Sequence, residues 1–162
     1  MLELKSPSQL QNAYDQFKGL LDLRLGKQTV TNQRMILVCG GTGCQASDSR
    51  LIVKEFNRLI KENQMESVLS ASIAGCFGFC EKGPILKIFP ENVFYTQVKV
   101  SDVGEIFDTH ILNGEKVRRL LYEDPKVKQK IEAADNISFY RLQKRVALYY
   151  PNITQNLEQH TG

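Results

Sequence analysis

Four cysteines, gathered into two short glycine-bearing loops, constrain this chain more than any other feature. They are all the cysteines it has: Cys39-Gly-Gly-Thr-Gly-Cys44, then Gly75-Cys76-Phe-Gly-Phe-Cys80-Glu-Lys-Gly-Pro84, spaced C-x4-C, a 31-residue gap, C-x3-C. The apolar run Arg34–Cys39 ends directly at the first cysteine and reads as a buried strand, and Val68–Ala74 reads as a second strand that delivers the other loop. Between them Asp48-Ser49 opens a helix whose Ile52, Val53, Phe56, Leu59 and Ile60 form one apolar stripe. A strand–helix–strand unit has a right-handed crossover, which sets its strands side by side and parallel. Their C-terminal ends then bring both cysteine loops to one edge of a sheet.

The rest of the chain fits around that unit. Ser6-Pro7 has the form of a helix start, and Leu10, Tyr14, Phe17 and Leu21 recur at helical spacing before Gly26, so an N-terminal helix is expected to cover one face of the domain after it. Ile85–Phe89 and Val93–Val100, joined by Pro90-Glu91-Asn92, read as a hairpin with Phe94, Thr96, Val98 and Val100 on one face. Ser101 is expected to cap a closing helix through Val103, Ile106, Phe107 and Ile111 that ends at Asn113-Gly114. The fold class predicted is α/β: a thioredoxin-like sandwich, with βαβ unit, β-hairpin and closing helix, plus an extra N-terminal helix and a C-terminal helical extension. Residues 1–30 are assigned to the first helix, 31–115 to the cysteine-bearing domain and 116–162 to a basic linker and helical extension. In that last part Lys126–Asn136 is polar, and Phe139, Leu142 and Val146 lie at helical spacing.

Composition narrows the function. At 162 residues, 42% apolar and 24% charged, the chain has the makeup of an ordinary globular domain. No run reaches the length of a membrane span and the start carries no apolar signal region, so no membrane insertion and a reducing, cytoplasmic location are expected. Loop cysteines in that setting read as metal ligands or redox thiols rather than staples. Lys116–Arg145 holds nine Lys/Arg against four Asp/Glu, but no nucleic-acid motif accompanies them, and a solvated face or docking surface is the reading. No P-loop, no G-x-G-x-x-G after a strand and no Ser/His/Asp set is present. His110 and His160 have no second ligand near them in sequence.

Three chemistries suit the sulfurs. A [2Fe–2S] cluster needs four thiolates, two on each iron, meeting from separate loops, although C-x4-C followed by C-x3-C departs from the plant-type spacing. Structural zinc takes four cysteines but favours C-x2-C knuckles. A thiol–disulfide enzyme favours C-x-x-C at a helix start. For a cluster, the amides near Gly40, Gly41, Gly43 and Gly78 would tune the potential through N–H···S bonds, Phe77 and Phe79 would keep water off the sulfurs, and Lys82 would sit near the negative charge. The alternative is a zinc-bound or metal-free interaction scaffold inside an assembly.

Ile36-Leu-Val-Cys-Gly-Gly-Thr-Gly-Cys44, Gly75–Pro84, Val93-Phe-Tyr95, His110-Ile-Leu-Asn-Gly114, Leu120-Leu-Tyr-Glu-Asp-Pro125 and Phe139-Tyr-Arg-Leu-Gln-Lys-Arg145 resemble the thioredoxin-like [2Fe–2S] ferredoxin family. Together they look like the N-terminal ferredoxin domain of the flavin- and NAD-binding subunit of multimeric iron-only hydrogenases, related to subunits of NADH:quinone oxidoreductase. The resemblance implies that Cys39, Cys44, Cys76 and Cys80 ligate one [2Fe–2S] cluster. It also implies that the chain relays single electrons to iron–sulfur and flavin subunits or domains of a redox complex, and it leaves room for an oligomer. The glycine-rich FMN- and NADH-binding domain of the long form is not encoded before Gly162. By itself the chain is therefore expected to carry an electron rather than to oxidise NADH, with Phe139–Arg145 as a tethering helix.

Overall fold

The structure is a computed structural model that describes residues 6–24, 33–125 and 128–142. At its centre lies a four-stranded sheet in the order β2-β1-β3-β4. β1 (Arg34–Cys39) and β2 (Leu69–Ala74) run parallel, with Cys39 opposite Ala74. The crossover between them holds the short helix α2 (Thr42–Ala46) and the longer α3 (Ser49–Glu62). β3 (Leu86–Phe89) lies antiparallel to β1 on its other side and turns through Pro90–Asn92 into β4 (Val93–Tyr95). The parallel unit, the hairpin and the neighbouring ends of β1 and β2 are as the sequence predicts.

Side chains alternate across β1 and divide the core. Ile36 and Val38 point to the helical face, where they meet Ile52, Phe56 and Ile60 of α3 and Val103, Ile106 and Phe107 of the closing helix. Met35 and Leu37 point the other way, with Phe89 and Leu23. That second face was expected to lie under the N-terminal helix α1 (Pro7–Arg24), whose start is capped as predicted, with the Gln9 N–H donated to Ser6 Oγ at 3.3 Å. Only Leu23 of α1 is buried, however, and Leu10, Phe17, Leu20 and Leu21 are exposed. Leu23 alone of that helix joins Met35, Leu37 and Phe89, and the chain beyond residue 116 returns to the sheet to pack beside them around Cys39 and Phe94.

Part of the range 116–162, assigned from sequence to a linker and extension, packs into the core among the described residues. Val117, Leu120 and Leu121 join the helix-side core, and Tyr122, Ala134 and Ile137 pack around Cys39, Cys44, Ile85 and Phe94. A second antiparallel pair, β5 (Tyr122–Asp124) and β6 (Gln129–Ile131), occupies the polar stretch where helix or linker was expected. Single bridges join Tyr95 to Leu121 and Val93 to Ala133 and stitch this segment to the sheet edge. A short helix α5 (Ser138–Arg141) comes next. Val146 and the rest of the C-terminal helix expected from periodicity lie outside the described residues, as do His160 and Gly26.

The strand expected over Val93–Val100 ends at Tyr95. Gln97 takes φ 53°, which turns the chain, and the hydrogen bonds Thr96 N–H to Leu120 O and Val98 N–H to Pro84 O replace further ladder pairing. The closing helix α4 (Val103–Ile106) is preceded by a helical turn at Val100–Asp102 and widens into a π-helical segment, Phe107–Leu112, that stops at Gly114 with φ 74°. Ser101 does not cap it. The Asp102 carboxylate instead closes the preceding turn, accepting the Lys99 N–H at 2.8 Å while Arg119 donates to its other oxygen at 2.8 Å.

His110, on this helix, is fully buried edge-on against the Tyr95 ring. The Val117 N–H donates to Tyr95 Oη at 3.0 Å, which leaves the phenol proton for His110 Nδ1 at 2.9 Å. Burial, then the nearby Arg34 charge, pulls the imidazole down to about 4, and burial pushes the Tyr95 phenol up to about 12. A histidine depressed in the folded state binds its proton more readily when unfolded. It therefore supports the fold fully above about pH 6.5, and that support is lost as pH falls toward about 4. The loss amounts to about 3 kcal/mol. Proton NMR titration should show His110 still neutral at pH 5, while the urea midpoint falls steadily between pH 6.5 and 4.

Candidate metal centre

Cys39 closes β1 and Cys44 lies in α2, five residues on, because the Gly40-Gly41 turn folds the helix back over the strand end. Both are buried, at 1% and 2% exposure. Cys76 and Cys80, in the loop after β2, are exposed, and all four thiols are free. Their sulfurs lie together. Cys44 and Cys76 both interact with Cys39, Cys80 feels the charges of Cys76 and Cys39, and Cys76 Sγ lies 4.0 Å from Cys80 Sγ. Among the described residues no three His, Cys, Asp or Glu side chains converge on a position for one metal ion. Two pairs of thiols, one from each loop, are the donor set that two metal atoms side by side would need, with two thiolates on each.

An amide points at one of these sulfurs. The Gly78 N–H donates to Cys76 Sγ at 3.3 Å, and Gly78 can aim it because its φ is 76°. This bond is the main reason the Cys76 thiol lies below its ordinary value. Cys44 is pushed up to about 11 by burial and then by Cys39, against a smaller lowering from the Ile85 backbone. Cys80 is raised chiefly by Cys76 beside it. Four thiols held this close resist joint ionisation unless a cation shares their charge. The donor set therefore fits a group that takes them all as thiolates.

Two glycines allow the packing. A Cβ on Gly41 would stand 3.1 Å from Cys76 Sγ and 3.7 Å from Cys39 Sγ, and one on Gly83 would stand 2.7 Å from Cys44 Sγ. Gly41 lies against two of the sulfurs and Gly78 gives its N–H to one. Gly40 and Gly43 meet no sulfur. The Gly40 amide is spent on Ala74 O at 3.0 Å, holding β1 to β2, and Gly43 faces open space from α2. Gly83 and Ile85 were not singled out from sequence; a glycine before proline reads only as a turn.

Phe77 and Phe79 lean inward onto the cluster of apolar residues around Cys39 and Cys44. They cover the buried pair and leave Cys76 and Cys80 at the surface, so the expected shielding is one-sided. Phe79 stacks on Phe139 at 5.0 Å and meets Tyr122 edge-on at 5.2 Å. Lys87 Nζ lies 5.6 to 5.8 Å from the rings of Phe77, Phe94 and Tyr140, the cation nearest this aromatic set. Lys82 pairs with Glu81 at 2.9 Å.

No family model matches the chain. It is 40% identical over 77 residues to the 2Fe-2S ferredoxin of Clostridium pasteurianum, covering 48% of this chain and 76% of that protein. The chain belongs to the thioredoxin-like [2Fe–2S] ferredoxin family. A 2Fe-2S ferredoxin of Aquifex aeolicus is 33% identical over 84 residues, with 51% and 76% of the two chains covered. The crystal structure of the wild-type thioredoxin-like [2Fe–2S] ferredoxin of that organism superposes with a TM-score of 0.52 at 30% identity, covering 57% of this chain and 98% of that one. The ferredoxin fold therefore accounts for a little over half of the residues.

Proposed function

We propose that this chain holds one [2Fe–2S] cluster on Cys39, Cys44, Cys76 and Cys80 and works as a one-electron relay inside a multi-subunit NAD(P)H-, ferredoxin- or hydrogenase-type oxidoreductase. The observation that carries the reading is the gathering of four free thiols, two buried and two exposed, with the Gly78 amide aimed at one of them. The cluster supplies reversible one-electron chemistry when bound. The protein supplies the rest. Gly78 donates an N–H bond that disperses sulfur charge, and Phe77, Phe79 and Phe94 keep the Cys39–Cys44 side dry. The exposed Cys76–Cys80 edge leaves one side open to a redox partner. Iron–sulfur and flavin subunits are the partners the sequence resemblance favours, and among the described residues no helix is long and apolar enough to cross a membrane.

Anaerobically purified protein should be red-brown, with about two irons and two acid-labile sulfides per chain and visible bands that bleach with dithionite. Colourless protein holding about one zinc would replace this reading with that of a scaffold. Co-purification with flavin-bearing subunits tests the wider assembly.

A further inference from the structure

One peptide unit, Phe77–Gly78, is held at both ends. Its N–H donates to Cys76 Sγ at 3.3 Å, and its carbonyl accepts the Tyr140 hydroxyl at 2.9 Å. Tyr140 is distant in sequence but firmly placed. Ile137, just before α5, is fully buried, Ser138 Oγ donates to Asp124 Oδ2 at 3.0 Å, and the Tyr140 ring packs edge-on against Phe94 at 5.7 Å and Phe79 at 6.1 Å.

We infer that Tyr140 is a positioning residue for the metal centre: its hydroxyl fixes and polarises the Phe77–Gly78 peptide, and so sets the strength of the Gly78 N–H···Sγ bond to Cys76. Two physical effects act together. An amide whose oxygen accepts a hydrogen bond becomes a better N–H donor, since bonds in a chain polarise one another. The phenol also fixes the plane of a peptide in an exposed loop, where the positive φ of Gly78 leaves the alternative orientations open. An N–H bond to a ligating sulfur draws off negative charge and so favours the reduced, more negative form of the centre. The relay Tyr140 O–H to Phe77 O, then Gly78 N–H to Cys76 Sγ, therefore raises the potential.

This inference rests on the cluster reading of the four cysteines. Tyr140→Phe keeps the ring and removes only the phenol, and Tyr122→Phe is the control, since its ring also packs on Phe79 but its hydroxyl is outside the relay. The measurement is an optical redox titration of the purified full chain. Tyr140→Phe should keep the visible bands of the wild type and shift to lower potential, lowering the reduced-to-oxidised ratio at fixed ambient potential roughly threefold, about 30 mV for one electron; Tyr122→Phe should titrate with the wild type. An unshifted Tyr140→Phe, an equal shift in both variants, or loss of the bands in Tyr140→Phe overturns the inference and leaves the cluster reading standing. A wild-type chain without the bands after reconstitution overturns both.

Discussion

A chain ending at Glu115 is expected not to fold, although it retains every strand of the central sheet and all four cysteines. It lacks Val117, Leu120, Leu121, Tyr122, Ala134 and Ile137, each buried in the full structure. At about 1.5 to 3 kcal/mol for each large apolar side chain removed from water, their loss amounts to roughly 10 kcal/mol. That is as much as the whole stability of a typical domain, about 5 to 15 kcal/mol. It also strips Tyr95 of the Val117 N–H and leaves the β4 edge without its bridges to Leu121 and Ala133. Circular dichroism should show a chain without a cooperative thermal transition, whereas the full chain melts in one step. A cooperative melt of the shortened chain would restore the boundary near residue 115.

Gly83→Ala should strip the centre of most of its iron. Its new methyl would stand 2.7 Å from Cys44 Sγ, nearer than real Cβ contacts come, and Cys44 is wedged beneath Ile85, Phe94 and Tyr122 with no room to yield. A ligand displaced by even a fraction of an ångström leaves a site built to a fixed metal–sulfur length. Iron content and visible absorbance should fall to below roughly a tenth of wild type. Gly43→Ala makes the comparison, since a Cβ there meets nothing within 4 Å and alanine is the better helix former. That variant should hold iron fully and melt slightly higher.

Local signals carried furthest. The apolar run closed by a cysteine became β1 over the predicted Arg34–Cys39, and the Ile52–Phe56–Ile60 stripe became the buried face of α3. Crossover handedness then sufficed to bring four cysteines together, because that rule concerns the sheet and not the side chains. What stayed hidden depends on contacts between distant segments. Val93–Val100 alternates like a long strand, yet the chain turns at Gln97 so that Val98 can enter the core. The β5–β6 hairpin exposes Gln129 and Lys130 and buries little besides Tyr122 and Asp124, so its three-residue strands leave no usable period. In α5 the apolar spacing drew attention to Phe139 and Leu142, but Leu142 is 84% exposed and the residue that meets the loop is Tyr140 between them.

The two-sided burial of the sulfurs bears on the order in which such a centre can be built. Cys39 and Cys44 lie beneath Tyr122, Ala134 and Ile137, whereas Cys76 and Cys80 are open to solvent. A scaffold protein delivering a preassembled cluster would reach the exposed pair of a finished fold, but the inner pair only while Tyr122, Ala134 and Ile137 are still undocked. Maturation is then tied to the final stage of folding, and the closing segment seals in what has been delivered.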